Sequence, residues 1–270
     1  MIRYDELAKT QTVFSTVAEF GLNAFVSVEL NDSDVNVGGI PTSEKHLAYT
    51  ERLVCLIGGG EIEEQPVKAL VNSGAILVAA DGGANHVSRL DLCPVAVIGD
   101  MDSISSETRA QFADVLHHIP GQDSTDFEKS LRVLDVAGII GFGFLGPRAD
   151  HGLAAMQALA RHQGAPVILQ SAQDVVFHLP AHREMTFELP PETRVSLFPF
   201  ASVACAAEGL RWPVDGLTFD PMGQIGTSNK ATGGALRLMA KGAGLLAILP
   251  ARHRDQVLQN FGLSLCPSYP

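Results

Sequence analysis

The residues of this chain best suited to chemistry are carboxylates that follow short apolar runs. Gly99-Asp100-Met101-Asp102-Ser103 comes directly after Val95-Ala96-Val97-Ile98, and Asp123-Ser124-Thr125-Asp126-Phe127-Glu128-Lys129 comes after the run from Val115 to Ile119. Two acids one residue apart repel each other. A crevice accommodates them when a cation lies between, and Mg²⁺ takes oxygen ligands from one or two carboxylates together with substrate phosphates. The competing reading is a solvated turn in which Asp102 or Ser103 caps a helix beginning near Ser105. In the second cluster Thr125 and Glu128 fit a capping box, and acids in a first helical turn complement the helix dipole. Capping explains Thr125 and Glu128 well and Asp123 and Asp126 less well.

Other groups stand at comparable positions. In Gly146-Pro147-Arg148-Ala149-Asp150-His151, Arg148 offers a planar, permanently charged fork for phosphate oxygens, Asp150 suits a helix cap or a metal, and His151 reads as structural rather than catalytic. Gly58-Gly59-Gly60 and Asp81-Gly82-Gly83-Ala84-Asn85 are glycine turns that let backbone N–H groups approach phosphates or a base, although glycine at strand ends is also an ordinary turn signal. Gly141-Phe142-Gly143-Phe144-Leu145-Gly146 matches the dinucleotide fingerprint but follows the fifth strand rather than the first, and no acid suited to a ribose hydroxyl follows about 20 residues on. A nicotinamide or flavin role is rejected on that ground, and a P-loop kinase on the absence of the Walker A pattern.

These groups need a scaffold that brings strand ends together. Apolar runs at 53–57, 76–80, 95–98, 115–119, 138–142 and 167–169 alternate with amphipathic segments, including helices expected over Thr125 to Val136 and around Leu153, Met156 and Ala160. That is the pattern of βαβ units around a parallel sheet, whose carboxyl edge receives ligands. After about Ala172 the texture changes to strand after strand without helical periods, through 187–189, 194–198, 217–219 and 245–249, which predicts a smaller β domain. The expected organisation is an α/β fold with a parallel-sheet domain over 51–172 and a β domain over 178–265. Residues 1–50 read as an extension without an assigned role; 23–30 within it could form a strand.

At 270 residues, 46% of them hydrophobic, the chain is long enough for a substantial core. Its net charge of −11 argues against sequence-independent nucleic-acid binding and against anchoring on anionic lipid. An acidic protein that binds phosphates needs a metal to mediate. Cys55, Cys93, Cys205 and Cys266 show no C-x-x-C spacing, which suits a reducing cytoplasm. No apolar run approaches the length of a membrane span, and the first twenty residues lack a signal-peptide core.

Taken in order, the glycine turn 58–60, Ala80-Asp81-Gly82-Gly83-Ala84-Asn85, Gly99-Asp100-Met101-Asp102-Ser103-Ile104, 123–129 and Arg148-Ala149-Asp150-His151 resemble the thiamine pyrophosphokinase family. The resemblance extends over about Leu53 to Leu249, since Gly209-Leu210-Arg211-Trp212 and Gly226-Thr227-Ser228-Asn229 look like that family's thiamine-binding β domain; Pro147 departs from the family's usual glycine. The resemblance implies transfer of diphosphate from ATP to thiamine by a parallel-sheet α/β catalytic domain joined to a smaller all-β sandwich domain, in a homodimer whose thiamine site lies between subunits. It implies that Asp100, Asp102 and Asp126 hold Mg²⁺ and the phosphates, and that Lys129 and Arg148 neutralise the transferring oxygens. Gly59, Asp81, Gly82, Asn85, Asp123, Thr125 and Asp150 would line the nucleotide site, and Trp212, Ser228 and Asn229 the thiamine end. Trp212 could equally pack in the β-domain core. The alternatives kept beside this one are a pyrophosphokinase for another alcohol, such as a hydroxymethylpterin, and a non-catalytic nucleotide- or thiamine-binding protein.

Overall fold

In the computed structural model, which describes residues 47–121 and 123–264, short aliphatic runs form strands buried on both faces. In order the elements are β1 (Leu47–Ile57), α1 (Glu64–Asn72), β2 (Ile76–Ala80), α2 (Gly83–Arg89), β3 (Ala96–Gly99), α3 (Ser106–Gln111), β4 (Leu116–His118), α4 (Asp126–Val133), β5 (Leu134–Phe142), α5 (Ala149–Arg161), β6 (Val167–Gln170) and β7 (Asp174–His178). There follow β8 (Met185–Leu189), β9 (Arg194–Pro199), β10 (Val203–Glu208), β11 (Thr218–Phe219), β12 (Gly226–Lys230), β13 (Gly234–Ala240), β14 (Leu245–Pro250) and α6 (Arg254–Asn260).

One sheet runs through both halves in the order β12-β9-β14-β7-β6-β5-β1-β2-β3-β4. From β6 to β4 all neighbours are parallel; from β7 outward they are antiparallel. A second, antiparallel sheet has the order β11-β10-β13-β8. Side chains alternate across the large sheet. Cys55, Ile57, Leu77, Ala79 and Val97 share a cluster with Val67, Leu70 and Val87 of α1 and α2, which continues through Phe177 to Phe187 and Leu236 of the second sheet. Val54, Leu56, Val78 and Ile98 face the other way, with Phe127, Leu131, Ala155 and Leu159 of α4 and α5. A parallel strand covered on both faces has no polar side, so β2 and β3 are buried throughout.

Three regions differ from the sequence expectation. The helix expected to reach Val136 stops at Val133, and Leu134 is already extended. Leu134 and Val136 instead join the parallel ladder opposite Leu47 and Tyr49, because β1 extends six residues before Leu53. The strand expected over 115–119 shrinks to β4, since Ala113–Val115 form a 3₁₀ turn. The C-terminal part is not strand alone: α6 buries Val257 and Leu258, and β7, β10, β12 and β13 add strands the apolar runs did not mark. The strand considered over 23–30 lies outside the described residues.

Candidate functional site

β5 returns to lie beside β1, so the strand order reverses between these two, where open α/β sheets form their ligand crevice. The loops leaving β1 and β5 meet there backbone to backbone. Gly58 N donates to Phe142 O at 2.7 Å and Gly60 N to Gly143 O at 2.9 Å. A Cβ on Gly60 would come within 2.7 Å of Gly143 O, so glycine is what permits this approach. Beside the seam opens a cleft of about 870 Å³ lined by Gly58 to Glu61, Asp81, Gly82, Asn85, Asp100 and Asp102, together with 123–129, Arg148 and His151.

The acids reach the cleft because each follows a strand end. Asp81 comes after β2 at φ 40°, and its backbone N–H donates to Ile98 O, which ties the β2 and β3 exits together. Asp81 is buried: Ser103 N donates to its Oδ2 at 3.2 Å, and its Oδ1 has no hydrogen-bond partner. Burial first, then the nearby Asp126 and Asp102 charges, push its carboxyl above the ordinary aspartate range, although the bond from Ser103 acts in the opposite direction. Asp81, Asp100 and Asp102 each bring one carboxylate oxygen to within 4.8 Å of the others, a spacing able to hold a cation. The sequence motifs flagged Asp100 and Asp102 as a pair but kept Asp81 apart from them; only the β2–β3 pairing brings it in.

Gly99 makes this convergence possible. Its φ is 152°, and a Cβ there would lie 2.8 Å from Asp81 Cβ and 3.0 Å from Asp126 Oδ1. Opposite, Lys129 is 1% exposed, and its Nζ donates to Asp100 Oδ2 and Asp126 Oδ1, both at 2.9 Å. Burial alone would lower the Lys129 pKa, but hydrogen bonds to the two carboxylates outweigh it and raise the value; the same bond from Lys129 holds the Asp100 carboxyl below its usual range. The ammonium therefore links two of the expected metal-binding acids. It is an internal counter-charge at the floor of the cleft.

Capping and chemistry separate cleanly. Thr125 and Glu128 form the complete capping box of α4, while the cap of α3 is Ser105, which accepts from Thr108 N. Neither Asp102 nor Ser103 caps that helix; Ser103 Oγ instead donates to Asp102 Oδ1 at 2.7 Å. Asn85 is a strut, with Nδ2 donating to Ser103 O and Oδ1 accepting from Ser105 N, so it fixes the loop that carries Asp102. Arg148 and Asp150 form a two-pronged pair, 3.2 Å from Nε and 2.6 Å from Nη2, with both side chains about two-thirds exposed. Arg148 holds the Asp150 carboxyl down at about 2. Asp150 lies in the first turn of α5 without capping it, and His151 is exposed on the cleft wall rather than buried in the core.

The residues expected at the thiamine end do not line this cleft. Trp212 is 51% exposed, under the Arg211 guanidinium at 5.4 Å, so it does not pack in the β core. Asn229 is buried, and its carboxamide binds the Trp212 backbone in both directions, accepting from N at 3.2 Å and donating to O at 2.7 Å. Ser228 is exposed at φ 61°, with its N–H donating to Ser196 Oγ. Sequence reasoning missed Gln170, buried at the end of β6 with Oε1 unpartnered; a lone Gln closing an apolar strand carries no signal until its neighbours are known.

Comparison with known proteins agrees with this geometry. Residues 67–169 match the family model described as thiamin pyrophosphokinase, catalytic domain. Thiamine pyrophosphokinase 1 of Oryza sativa subsp. japonica is 29% identical over 188 residues, 56% of this chain and 70% of the relative. Thiamine pyrophosphokinase 3 of the same plant is 26% identical over 190 residues, 57% of this chain and 70% of its own. Among solved structures, thiamin pyrophosphokinase from Candida albicans aligns with TM-score 0.63 at 16% identity, covering 74% of this chain and 90% of that one. Thiamine pyrophosphokinase from Bacillus subtilis aligns with TM-score 0.62 at 19% identity, covering 74% and 99%. These structures share the fold.

Proposed function

We propose that this chain, a member of the thiamin pyrophosphokinase family by the match over its catalytic domain, transfers diphosphate from ATP to the hydroxyethyl oxygen of thiamine, giving thiamine diphosphate and AMP. What carries the reading is the meeting of Asp81, Asp100 and Asp102 at the carboxyl edge of the sheet, inside a cleft large enough for a nucleotide. Phosphoryl-type transfer asks for alignment and charge neutralisation rather than a protein nucleophile. Among the described cysteines Cys55 and Cys205 are buried, and the exposed Cys93 does not line the cleft, so none is placed to act as one.

The donor set fits a hard divalent cation such as Mg²⁺: three carboxylates, one with a buried oxygen lacking any donor. When bound, the ion would offset phosphate charge and fix the orientation of the chain of phosphates. In this reading Asp100 and Asp102 bind the metal with Asp81 behind them, and Asp126 shares Lys129 and borders the phosphates. The exposed Arg148–Asp150 pair has little to lose by opening, because solvent screens both charges. Arg148 is thus free to exchange its carboxylate for phosphate oxygens. Gly59, Gly82, Asp123 and Asn85 complete the nucleotide wall.

Residues 51–172 then handle nucleotide and metal, and 178–265 handle thiamine. Trp212 and Ser228 are exposed and are not part of the cleft lining, which fits a thiamine site completed across a homodimer; Asn229 binds the Trp212 backbone. No helix among the described residues is long and apolar enough to cross a membrane, and the cytoplasm, where ATP is available, is the proposed location. The test is product analysis with thiamine, ATP and Mg²⁺. AMP should appear in step with thiamine diphosphate; ADP, no product, or preference for a hydroxymethylpterin would overturn the assignment.

A further inference from the structure

Next to the main cleft lies a second cavity of about 190 Å³, lined by Glu61, Ile62, Glu63, Phe142, Leu145 and Gln170, with the backbone turn 171–173 closing it. Gln170 is 7% exposed, and its Oε1 is buried without a hydrogen-bond partner. A buried carboxamide oxygen left unpaired has given up its water without a replacement, so a ligand donor there is favoured. The cavity is below the range of about 300–1,000 Å³ typical of whole-ligand pockets, so it suits one flat ring system. Its ionisable side chains are Glu61 and Glu63, which repel phosphate and tolerate a neutral heterocycle.

Its place on the sheet selects the heterocycle. Gln170, Phe142, Ile57 and Ala79 stand in one row across β6, β5, β1 and β2. With strands about 4.8 Å apart, the Gln170 row position is three steps, about 14 Å, from the β2 exit that carries Asp81, and four steps, about 19 Å, from the β3 exit that carries Asp100. A nucleoside triphosphate laid along this edge, phosphates at the acids, crosses the flat seam of Gly59, Gly60 and Gly143 and brings its base to Gln170. Glu61 lines both cavities, so the two are neighbours across one side chain.

Building on the ATP-dependent reading above, we infer that this cavity receives the purine base of the nucleotide, with the Gln170 carboxamide pairing with the ring's 6-position edge. A carboxamide matches the adjacent donor and acceptor of an adenine edge with two hydrogen bonds. Gln170 is thereby a specificity-determining residue. The aminopyrimidine of thiamine presents a similar edge, but the exposed groups assigned to thiamine, Trp212 and Ser228, line neither cavity.

The experiment compares calorimetric binding of ATP and of inorganic tripolyphosphate, each with Mg²⁺, to the full chain. The wild type should bind ATP more tightly. Gln170→Leu should weaken ATP about tenfold and leave tripolyphosphate unchanged, on the scale of a lost base-reading pair. Purine riboside triphosphate, which lacks the 6-amino group, should bind the wild type several-fold more weakly than ATP, a check that needs no variant. Equal weakening of ATP and tripolyphosphate in Gln170→Leu, or equal binding of ATP and the riboside analogue by the wild type, would overturn the inference. So would a Gln170→Leu enzyme whose KM rises for thiamine and not for ATP. If the wild type prefers ATP over tripolyphosphate and over the riboside analogue yet forms no AMP from thiamine, the base pocket stands and diphosphate transfer falls.

Discussion

Lys129 and Asp100 meet at 2.9 Å at the floor of the cleft, and the same ammonium reaches Asp126 at 2.9 Å. An acidic site this dense would repel itself in an empty chain; the buried cation holds it together before any ligand arrives. Lys129→Met removes the charge and leaves carboxylates facing one another. Breaking such a buried pair typically costs about 3–5 kcal/mol, but Asp126 is partly solvated, so about 2–3 kcal/mol is expected. Urea unfolding measures it, and added Mg²⁺ should restore more stability to the variant than to the wild type.

The same contact sets a pH dependence. The folded Asp100 pKa lies below its unfolded value, so this contribution is present above the ordinary aspartate pKa and is lost as pH falls through the lowered one. The folded Lys129 pKa lies above its unfolded value, so that contribution is present below the ordinary lysine pKa and is lost as pH rises through the raised one. Stability attributable to the pair is therefore flat across neutral pH. Unfolding titrations of wild type and Lys129→Met should differ by a constant between about pH 5 and 9 and converge at either extreme.

Asp100→Asn and Asp126→Asn should each lower turnover by roughly 100-fold or more, the scale of losing a key electrostatic contact. AMP release is the readout. Near-normal rates in both would remove these acids from the mechanism.

Gly99 lets Asp81 and Asp126 approach from both sides, and Gly99→Ala puts a methyl within 3.0 Å of each. Overpacking of this kind costs about 1–3 kcal/mol. Because the methyl pushes on the acids themselves, turnover should fall more than the thermal midpoint suggests, which paired kinetic and melting measurements would reveal.

Trp212 and Asn229 should separate in opposite senses. Trp212→Phe changes a half-exposed ring and should leave stability within about 0.5 kcal/mol while raising the thiamine KM. Asn229→Ala leaves the Trp212 backbone unpaired beneath it and should cost about 1–3 kcal/mol. An unchanged KM in Trp212→Phe would remove the ring from the thiamine site.

Local order along the chain was enough to mark Asp100, Asp102, Asp123 and Asp126 as strand-end acids, to assign Thr125 and Glu128 to a capping box, and to predict parallel strands followed by a β-rich part. These features depend on a few neighbouring residues: apolar runs bounded by Gly and Asp, and a Thr and Glu three apart. What lies between distant segments was decided by tertiary structure. Leu134 and Val136 left their helical period because β1 offered a ladder, and Asp81 joined Asp100 because β2 pairs with β3. Lys129 became a counter-ion rather than an open phosphate ligand because α4 buries its stem and aims its ammonium between two acids. Spacing in sequence specifies which groups are available, whereas strand pairing and burial determine which of them share a charge, a pocket or a proton.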